Sequence, residues 1–313
     1  MMNTNRTEGL RALIRQGLQA VAHKDTLAHL GDRSSYVGMS DIGQHWECPR
    51  AALARKVLPI TNSLERLLTL QRGHWFEKVK LDANCPLPPH IVSQLHEDIR
   101  IRFTYHSNAI EGNTLTIYET KAVLEDGITI GGKSMREHLE TIDHSHAIEY
   151  LETLVQQDEP LSERVLKEMH NIIMRNIDSA NAGKYREVNV IITGANHVPP
   201  SATQVPEKME EFFRWYEAER ESLHPVELAA RVHADFVNIH PFKDGNGRTA
   251  RLIMNLELMK AGFPTVIIPV ESRPEYYKHL DTAATQGDYS PFTAQVADLT
   301  AKSFEPYWRL LES

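Results

Sequence analysis

The stretch from His240 to Arg251 reads HPFKDGNGRTAR, and its residue types suit a site that handles phosphate. Gly245 and Gly247 leave the backbone free to turn successive N–H groups to one side, where the positive end of the following helix also attracts an anion. Arg248 and Arg251 are three residues apart on the first turn of that helix, so both guanidinium groups can reach phosphate oxygens. The spacing therefore predicts a phosphate-binding loop.

Two residues of the same stretch add reactive chemistry. Asp244 supplies a hard carboxylate oxygen of the kind that Mg²⁺ prefers alongside substrate phosphates. His240 precedes Pro241, which fixes the next turn, and an ordinary histidine pKa of about 6.5 suits a general base that accepts a proton from an attacking hydroxyl. A histidine before proline or a Gly-Asn-Gly turn is more often structural when it occurs alone, so the interpretation depends on their conjunction.

This stretch resembles the signature of the Fic family, H-x-F-x-[D/E]-G-N-G-R-x-x-R, with every specified position present. The resemblance extends over roughly residues 90 to 313. It implies an α-helical domain that binds ATP with Mg²⁺ and transfers AMP to a Ser, Thr or Tyr hydroxyl of a target protein, releasing pyrophosphate. It further implies that His240 is the base, that Asp244 is the Mg²⁺ ligand and that Arg251 contacts the terminal phosphate. The implied phosphate cradle consists of Gly245, Asn246, Gly247 and Arg248.

A glutamate far from the signature indicates regulation. Glu111 falls in the last turn of a predicted helix that Gly112 closes, where a carboxylate has the wrong sign for the helix dipole and needs a cationic partner. Ser107 to Gly112 also matches the family's inhibitory pattern [S/T]-x-x-x-E-[G/N], so the chain resembles the subgroup whose inhibitory helix precedes the signature. This resemblance implies an ion pair from Glu111 to Arg251, assigns Ser107 to the same motif and makes the enzyme autoinhibited.

Three alternatives stay open. The residues around Glu111 also resemble the branch that includes the metazoan Fic enzymes, in which this glutamate positions a water that removes AMP, so the chain would be a deAMPylase or bifunctional. A non-catalytic interaction protein that keeps a nucleotide-binding fold is the second, although the presence of both His240 and Asp244 argues against it. Thr285, where the family often has Asn, leaves transfer of phosphocholine or UMP open.

Two further segments resemble parts of the family. Alternating apolar residues followed by a Thr-Gly-Ala-Asn turn predict a short β-hairpin within Glu187–Pro200. It resembles the family's flap, which would hold an extended target segment by main-chain pairing, although an ordinary hairpin covering the core fits the pattern as well. The segment Arg273–Asp288 resembles the adenine-side helix, with Tyr277 packed on the base. The flap residues expected to dock the target are Ile191, Ile192, Thr193 and Gly194.

Helical periodicity dominates the rest of the chain and predicts an all-α fold, a Fic-type helical bundle with one small β-hairpin flap. Three prolines at positions 86, 88 and 89 predict a linker. We therefore expect residues 1–85 to form an N-terminal accessory segment, and residues 90–313 to form a Fic domain that includes an inhibitory helix over 91–111. Further helices are predicted over 121–126, 135–157, 163–176, 206–222, 226–239, 249–261, 275–286 and 291–311.

Composition restricts the partners. The chain has 313 residues, of which 41% are hydrophobic, and a net charge of -8, which argues against direct binding of nucleic acid by the whole protein. No run approaches the roughly 20 apolar residues of a membrane span. The two cysteines and the lack of a secretory leader favour a cytoplasmic protein. The expected partner is a target protein with a hydroxyl side chain, which includes a second copy of the chain, and homodimer formation stays open.

Overall fold

The computed structural model describes residues 74–192 and 194–311, which all belong to one compact unit. These residues form α-helices, short 3₁₀ turns and irregular loops without a β-strand, so the all-α prediction is confirmed. The predicted accessory segment lies outside the described residues up to position 73. The helices are α1 His74–Ala83, α2 Pro89–Ile110, α3 Ile117–Glu125, α4 Met135–Gln156, α5 Glu163–Met174, α6 Val205–Glu219, α7 Pro225–Ile239, α8 Asn246–Lys260, α9 Arg273–Gln286, α10 Ser290–Lys302 and α11 Glu305–Leu311.

Several helices begin and end where the sequence supplies caps. Pro89 starts α2 just after the predicted proline break, in a position where its missing N–H is not needed. At the other end, Gly112 has φ of 100° and donates to Ala109 O, while Asn113 N donates to Asn108 O at 3.1 Å. These two bonds form a Schellman motif, which stops α2 directly after Ile110 and leaves the next residue, Glu111, at its C-cap.

Helix α8, which carries most of the signature, lies in the centre of the fold. Every residue from Arg248 to Leu258 is buried, so this helix is covered on all sides. One apolar cluster packs α8 against α4, α5, α6 and α7, and contains Phe242 and Leu252. A second packs it against α2, α7, α9 and α10, and contains Ile110 and Met254. Because cores are close-packed, α8 is a rigid platform for the residues at its N-terminus.

The predicted hairpin is not formed in the described residues of the flap. The two arms, residues 187–192 and 194–200, make only one backbone hydrogen bond with each other, a turn bond from Ala195 N to Ile192 O. Instead, the guanidinium of Arg186 donates to Val188 O at 3.0 Å and to Pro200 O at 2.6 Å. The guanidinium of Arg186 thus binds carbonyls at the base of both arms. These side-chain bonds take the place of the backbone ladder that a hairpin would have.

The predicted C-terminal helix over 291–311 is two helices. Helix α10 ends at Lys302 and α11 begins at Glu305, with Phe304 buried between them. Pro306 accounts for the break, since it has no N–H to donate to the carbonyl of Lys302 and so cannot continue α10, whereas in the first turn of α11 that N–H is not needed. The predicted break near position 86 is present, and α1, which precedes it, adds Leu81 to the second cluster.

Candidate active site

His240 lies at the C-terminal end of α7 in a left-handed conformation, with φ of 51° and ψ of 57°. Such a conformation is uncommon for a residue with a side chain and requires support from its surroundings. Its N–H donates to Phe236 O at 3.0 Å, and its carbonyl accepts from Nε of Arg186 at 2.8 Å. The N–H of Arg186 also donates to Pro241 O at 2.9 Å. Arg186 therefore holds two successive carbonyls of the turn, those of His240 and Pro241.

The surroundings of His240 keep its imidazole neutral. Burial, together with the positive charge of Arg186, lowers the pKa of His240 to about 4. The carbonyl of Val237 and the charges of Glu111 and Asp244 oppose this effect without reversing it. At neutral pH the ring is therefore unprotonated and able to accept a proton.

The loop after His240 is held by the side chain of Asn246. Its Oδ1 accepts from Phe242 N and its Nδ2 donates to Phe242 O, both at 2.9 Å. Asn246 is buried, and these bonds use its amide on the loop itself. Gly245 has φ of 77°, and a Cβ there would lie 3.0 Å from Sδ of Met174, so both the turn and the space require glycine.

His170 on α5 supports the loop from below. Its ring stacks on Phe242 with centroids 3.6 Å apart and planes 3° from parallel. Nδ1 accepts from Gly183 N at 2.9 Å, so Nε2 carries the hydrogen and donates to Asp244 O at 2.9 Å. Burial lowers the pKa of His170 to about 4, which keeps the ring in this neutral form. This residue therefore fixes the backbone of the signature loop.

Arg248 presents a buried positive charge at the start of α8. The residue is 1% exposed, and its guanidinium approaches Oδ1 of Asp244 at 3.5 Å and Oε1 of Glu140 at 3.7 Å. Nη2 donates weakly to Sδ of Met174, whereas Nε and Nη1 have no hydrogen-bond partner within the described part of the chain. Buried donors of this kind are normally satisfied, so the group is well suited to receive phosphate oxygens.

The carboxylate of Asp244 is partly exposed and ionised. Burial alone would raise its pKa, but Arg248, the N–H of Gly245 and Arg136 together lower it. Oδ1 accepts from Gly245 N at 2.6 Å, and Oδ2 accepts from Nη2 of Arg136 at 2.7 Å. An anionic oxygen donor beside a phosphate-binding helix end fits Mg²⁺. The described residues contain no group of three His, Cys, Asp or Glu that could hold an ion, so phosphate oxygens and water would complete the shell.

Arg251 is buried and engaged on every nitrogen. Nε donates to Oγ of Ser107 at 2.9 Å, and Nη2 donates to the carbonyl of Ser107 at 2.8 Å and to Oε1 of Glu111 at 2.7 Å. Nη1 donates to the hydroxyl of Tyr276 at 3.4 Å. That hydroxyl is also 2.9 Å from Nε2 of His233, whose pKa burial lowers to about 3, so the tyrosine donates to this neutral ring. The ion pair expected between Glu111 and Arg251 is present.

The Glu111 carboxylate also covers the N-terminus of α8. A Cβ built on Gly247 would lie 2.2 Å from Oε1 of Glu111 and 3.2 Å from Nη1 of Arg251. Only glycine leaves room for the carboxylate at this place. Because the N-terminal end of a helix attracts anions, Glu111 lies in the position that suits a phosphate group.

The adenine-side and flap residues stand further from the signature. Tyr277 is 40% exposed, donates to Ile110 O at 3.3 Å and lies beneath the guanidinium of Arg273. In the flap, Ile191 is 88% exposed, Ile192 accepts the turn bond, and Gly194 has φ of 84°. Thr193, the fourth expected docking residue, lies outside the described residues.

Six residues of the site have no role assigned to them in the sequence-based prediction. His170, His233 and Tyr276 fall on buried faces of their helices, a position that helical periodicity could have marked as unusual for polar side chains. The other three are Arg136, Arg186 and Asp281, which act through partners 108, 54 and 85 residues away in sequence. No local pattern marks such contacts.

Comparison with known proteins supports the same family. A profile of the Fic/DOC family matches residues 160–258. The chain is 42% identical over 205 residues to a protein adenylyltransferase Fic of Nematostella vectensis, an overlap of 65% of this chain and 47% of that protein. The chain thus spans less than half the length of this curated relative.

Solved structures show the same fold. A segment of Fic-1 from C. elegans aligns with a TM-score of 0.71 and 35% identity over 80% of this chain and 73% of that one. A Fic domain containing signaling protein from Bacteroides thetaiotaomicron aligns with a TM-score of 0.66 and 31% identity over 75% of this chain and 95% of that one. Among the described residues, no helix has both the length and the apolar character needed to cross a membrane.

Proposed function

Because this chain belongs to the Fic/DOC family, we propose that it is a protein adenylyltransferase that moves AMP from ATP to a hydroxyl side chain of a target protein, and that its resting state is autoinhibited. One observation carries the proposal. Arg251 is held by Glu111 at 2.7 Å, next to a buried His240 whose pKa is lowered and a buried Arg248 with two nitrogens that have no hydrogen-bond partner in the described residues. We assign this activity to residues 90–313, with α2 as the inhibitory helix and residues 1–85 as an accessory segment.

His240 would act as the general base. Its Nδ1 is buried, so Nε2 is the nitrogen available to a Ser, Thr or Tyr hydroxyl. As the hydroxyl oxygen forms a bond to the α-phosphorus, its proton passes to Nε2 of His240. The bond from the α-phosphorus to the oxygen that bridges to the β-phosphorus breaks, and pyrophosphate leaves with that electron pair. Burial favours the neutral ring, so the base is ready at neutral pH.

The start of α8 would hold the phosphates. Nε and Nη1 of Arg248 have no hydrogen-bond partner in the described residues, and the backbone from Gly245 to Gly247 opens the helix end toward an anion. Asp244 would hold Mg²⁺, which when bound neutralises charge on the phosphate oxygens. Catalysis on this scheme depends mainly on positioning and on charge stabilisation.

Glu111 would act as the brake by taking Arg251 from the γ-phosphate. Arg251 has no free nitrogen while Ser107, Glu111 and Tyr276 accept from it. The Glu111 carboxylate also lies against Gly247, in space that a phosphate group needs. Leaving a buried arginine without its carboxylate costs about 3–5 kcal/mol, so activation requires that ATP or a partner replace Glu111.

The target and the nucleotide base would bind at the edges of this site. The exposed Ile191, with Ile192, Thr193 and Gly194, is the proposed docking segment of the flap, and the target includes a second copy of the chain. The exposed face of Tyr277 is the proposed contact for adenine. We propose a cytoplasmic enzyme that reaches its target there.

Removal of AMP from a modified target is a second candidate, favoured by one observation. The side chain of Glu111 is 33% exposed although it pairs with a buried arginine, so water can reach its carboxylate. A carboxylate beside the proposed phosphate loop could take a proton from a water whose oxygen forms a bond to the phosphorus. The bond from the phosphorus to the target's side-chain oxygen would break, AMP would leave, and that oxygen would take up a proton and become the free hydroxyl again. Release of AMP from a pre-modified target should then fall in Glu111→Gln, whereas an undiminished rate excludes this role.

Labelled ATP tests the proposal. With Mg²⁺, Glu111→Gly should transfer label from [α-³²P]ATP, and not from [γ-³²P]ATP, to proteins of a lysate or to itself, and the wild type should transfer far less. Glu111→Gly combined with His240→Ala is the blank, and Glu125→Gln, a glutamate paired with Lys121 on α3, is the matched control.

The outcomes separate the alternatives. If neither the wild type nor Glu111→Gly labels any protein, although both bind ATP, the chain is a non-catalytic nucleotide-binding protein. Label from [α-³²P]UTP or from labelled CDP-choline in place of ATP indicates transfer of UMP or phosphocholine.

A further inference from the structure

The tip of the flap is attached to α9 through one carboxylate. Oδ1 of Asp281 accepts from the backbone N–H of Asn196 at 2.8 Å and from that of His197 at 2.9 Å. Oδ2 accepts from Nδ2 of Asn196 at 2.7 Å. The hydrogen bond from Asn196 is the main cause that lowers the pKa of Asp281, so the acceptor is an anion. Three charge-assisted bonds to two adjacent residues fix both the place and the orientation of the tip.

The same tip is attached to the helix that carries the proposed base. Nε2 of His197 lies 2.7 Å from the carbonyl of Asn238, an arrangement in which the ring donates. Asn238 is two residues before His240, in the last turn of α7. At the base of the flap, Arg186 donates to the His240 carbonyl itself. The tip of the flap is thus bonded to the chain two residues before His240, and the base of the flap is bonded to His240 itself.

Asp281 is the anchor that lies outside the signature and the flap. Without it, the N–H groups of Asn196 and His197 would turn to water, and the tip would keep the turn bond from Ala195 N to Ile192 O and the ring of His197. Since residues 187–192 and 194–200 form no ladder, backbone pairing between them cannot replace the carboxylate. On α9, Tyr277 precedes Asp281 by one turn, so one helix contacts both the flap and the end of α2.

We propose that Asp281 is a positioning residue that clamps the flap tip, so that an acceptor hydroxyl held by the flap meets Nε2 of His240. The clamp itself stands on the contacts of Asp281, and its catalytic consequence rests on the proposed transfer of AMP. A protein acceptor needs the flap, whereas water needs no flap to reach the α-phosphorus. Loss of the clamp should therefore lower transfer to protein relative to transfer to water.

Exchanging the two partners tests the clamp. In Asp281→Asn, the new amide nitrogen would face Nδ2 of Asn196, and in Asn196→Asp two carboxylates would face each other. In the double variant the carboxylate at position 196 can accept from the amide nitrogen at position 281, and the amide oxygen at position 281 can still accept from both backbone N–H groups. Glu275→Gln, an exposed change on the same helix, is the control.

Two quantities should be measured, both in the Glu111→Gly background. The first is hydrogen exchange of the amides of residues 194–198, which should accelerate at least about tenfold in each single variant and recover in the double variant. The second is the ratio of protein-linked AMP to free AMP formed from [α-³²P]ATP, which should fall by about tenfold in the single variants and recover in the double variant. The calorimetric Kd for ATP should stay unchanged throughout.

The results separate the possible failures. Unchanged amide exchange in both single variants, or no recovery in the double variant, would overturn the clamp. Faster exchange with an unchanged product ratio would overturn the positioning role. If the Glu111→Gly parent transfers no AMP to any acceptor, the proposed function fails, and so does the catalytic consequence, while the exchange data still decide whether Asp281 clamps the flap.

Discussion

The carboxylate of Glu111 occupies the space that a side chain on Gly247 would need. A Cβ at position 247 would lie 2.2 Å from Oε1 of Glu111, which in turn is 2.7 Å from Nη2 of Arg251. On the proposed function, Gly247 would therefore serve the inhibited state as well as the active one. It leaves room for a carboxylate where the proposed reaction needs a phosphate.

Gly247→Ala should break the ion pair by steric exclusion. The methyl group would displace Glu111 and leave the buried Arg251 without its carboxylate, which we expect to lower the free energy of unfolding by about 3–5 kcal/mol. Urea denaturation measures this loss. In a Glu111→Ala background the same change should cost less than about 1 kcal/mol, because the colliding group is gone. Gly131→Ala, at a glycine with no atom within 4 Å of a built Cβ, is the control. Equal losses in the two backgrounds would contradict the steric account.

The neutral state of His240 predicts an unusual pH profile. Because burial lowers its pKa to about 4, kcat/KM of Glu111→Gly should change less than twofold between pH 7.5 and pH 5.5. A histidine with the ordinary pKa of about 6.5 would lose about tenfold over that interval. The negative charge of Glu111 raises the pKa of His240, so its removal in Glu111→Gly should leave the pKa of His240 at or below its value in the wild type. Initial rates with excess Mg²⁺ provide the profile, and an apparent pKa near 6.5 would argue against a buried, neutral base.

His170 predicts a pH dependence of stability. Its pKa of about 4 in the folded chain is below the value of about 6.5 expected in the unfolded chain, so the unfolded state binds the proton first. This contribution to stability is complete above the unfolded pKa and is lost as pH falls toward the folded one. Between pH 7 and pH 5 it should amount to about 2 kcal/mol.

Replacing His170 isolates that contribution. His170→Phe keeps an aromatic ring on Phe242 but cannot accept from Gly183 N or donate to Asp244 O. We expect a chain that is less stable at pH 7 by about 2 kcal/mol and that loses correspondingly less stability at pH 5. His146→Phe, at an exposed contact with Arg175, serves as the control. Parallel stability curves for His170→Phe and the wild type would show that the ring is not held neutral.

If Asp244 holds Mg²⁺ as proposed, Arg136 would compete with the ion for its carboxylate. Its Nη2 donates to Oδ2 of Asp244 at 2.7 Å, yet 57% of the arginine side chain is exposed, so the pair is a weak one. Arg136→Gln should tighten Mg²⁺ binding in the presence of ATP by a few-fold, about 0.2–1 kcal/mol. Calorimetric titration with Mg²⁺ provides the measurement, and Arg102→Gln, which removes an exposed pair with Asp98, is the control. Unchanged or weaker Mg²⁺ binding would show that Arg136 does not oppose the ion.

The sequence predicted the parts of this molecule that depend on local order. Most helices lie within a few residues of their predicted bounds, because apolar periodicity and caps such as Gly112 act over one or two turns. The two prolines at 291 and 306 belong to separate helices, and only the second coincides with a break inside the predicted helix. Periodicity could not detect that break, since the apolar face continues across it.

Side chains acting at long range account for the rest. The flap pattern predicted a hairpin, but the guanidinium of Arg186 satisfies carbonyls of both arms, and Asp281 accepts two of their N–H groups. The motif predicts that Asn246 belongs to the phosphate cradle, and its side chain holds the backbone of Phe242 in that loop. A motif indicates which residues meet, and the structure shows what each of them contacts.

The affinity for ATP relative to ADP tests the central claim most directly, since the claim is that Glu111 withholds Arg251 from the γ-phosphate. Calorimetry with Mg²⁺ should give similar Kd values for ATP and ADP in the wild type. In Glu111→Gly the Kd for ATP should fall at least about tenfold below that for ADP, as expected of one added charge-assisted contact to a buried arginine. If the ratio of the Kd for ATP to the Kd for ADP is the same in the wild type and in Glu111→Gly, the account is contradicted.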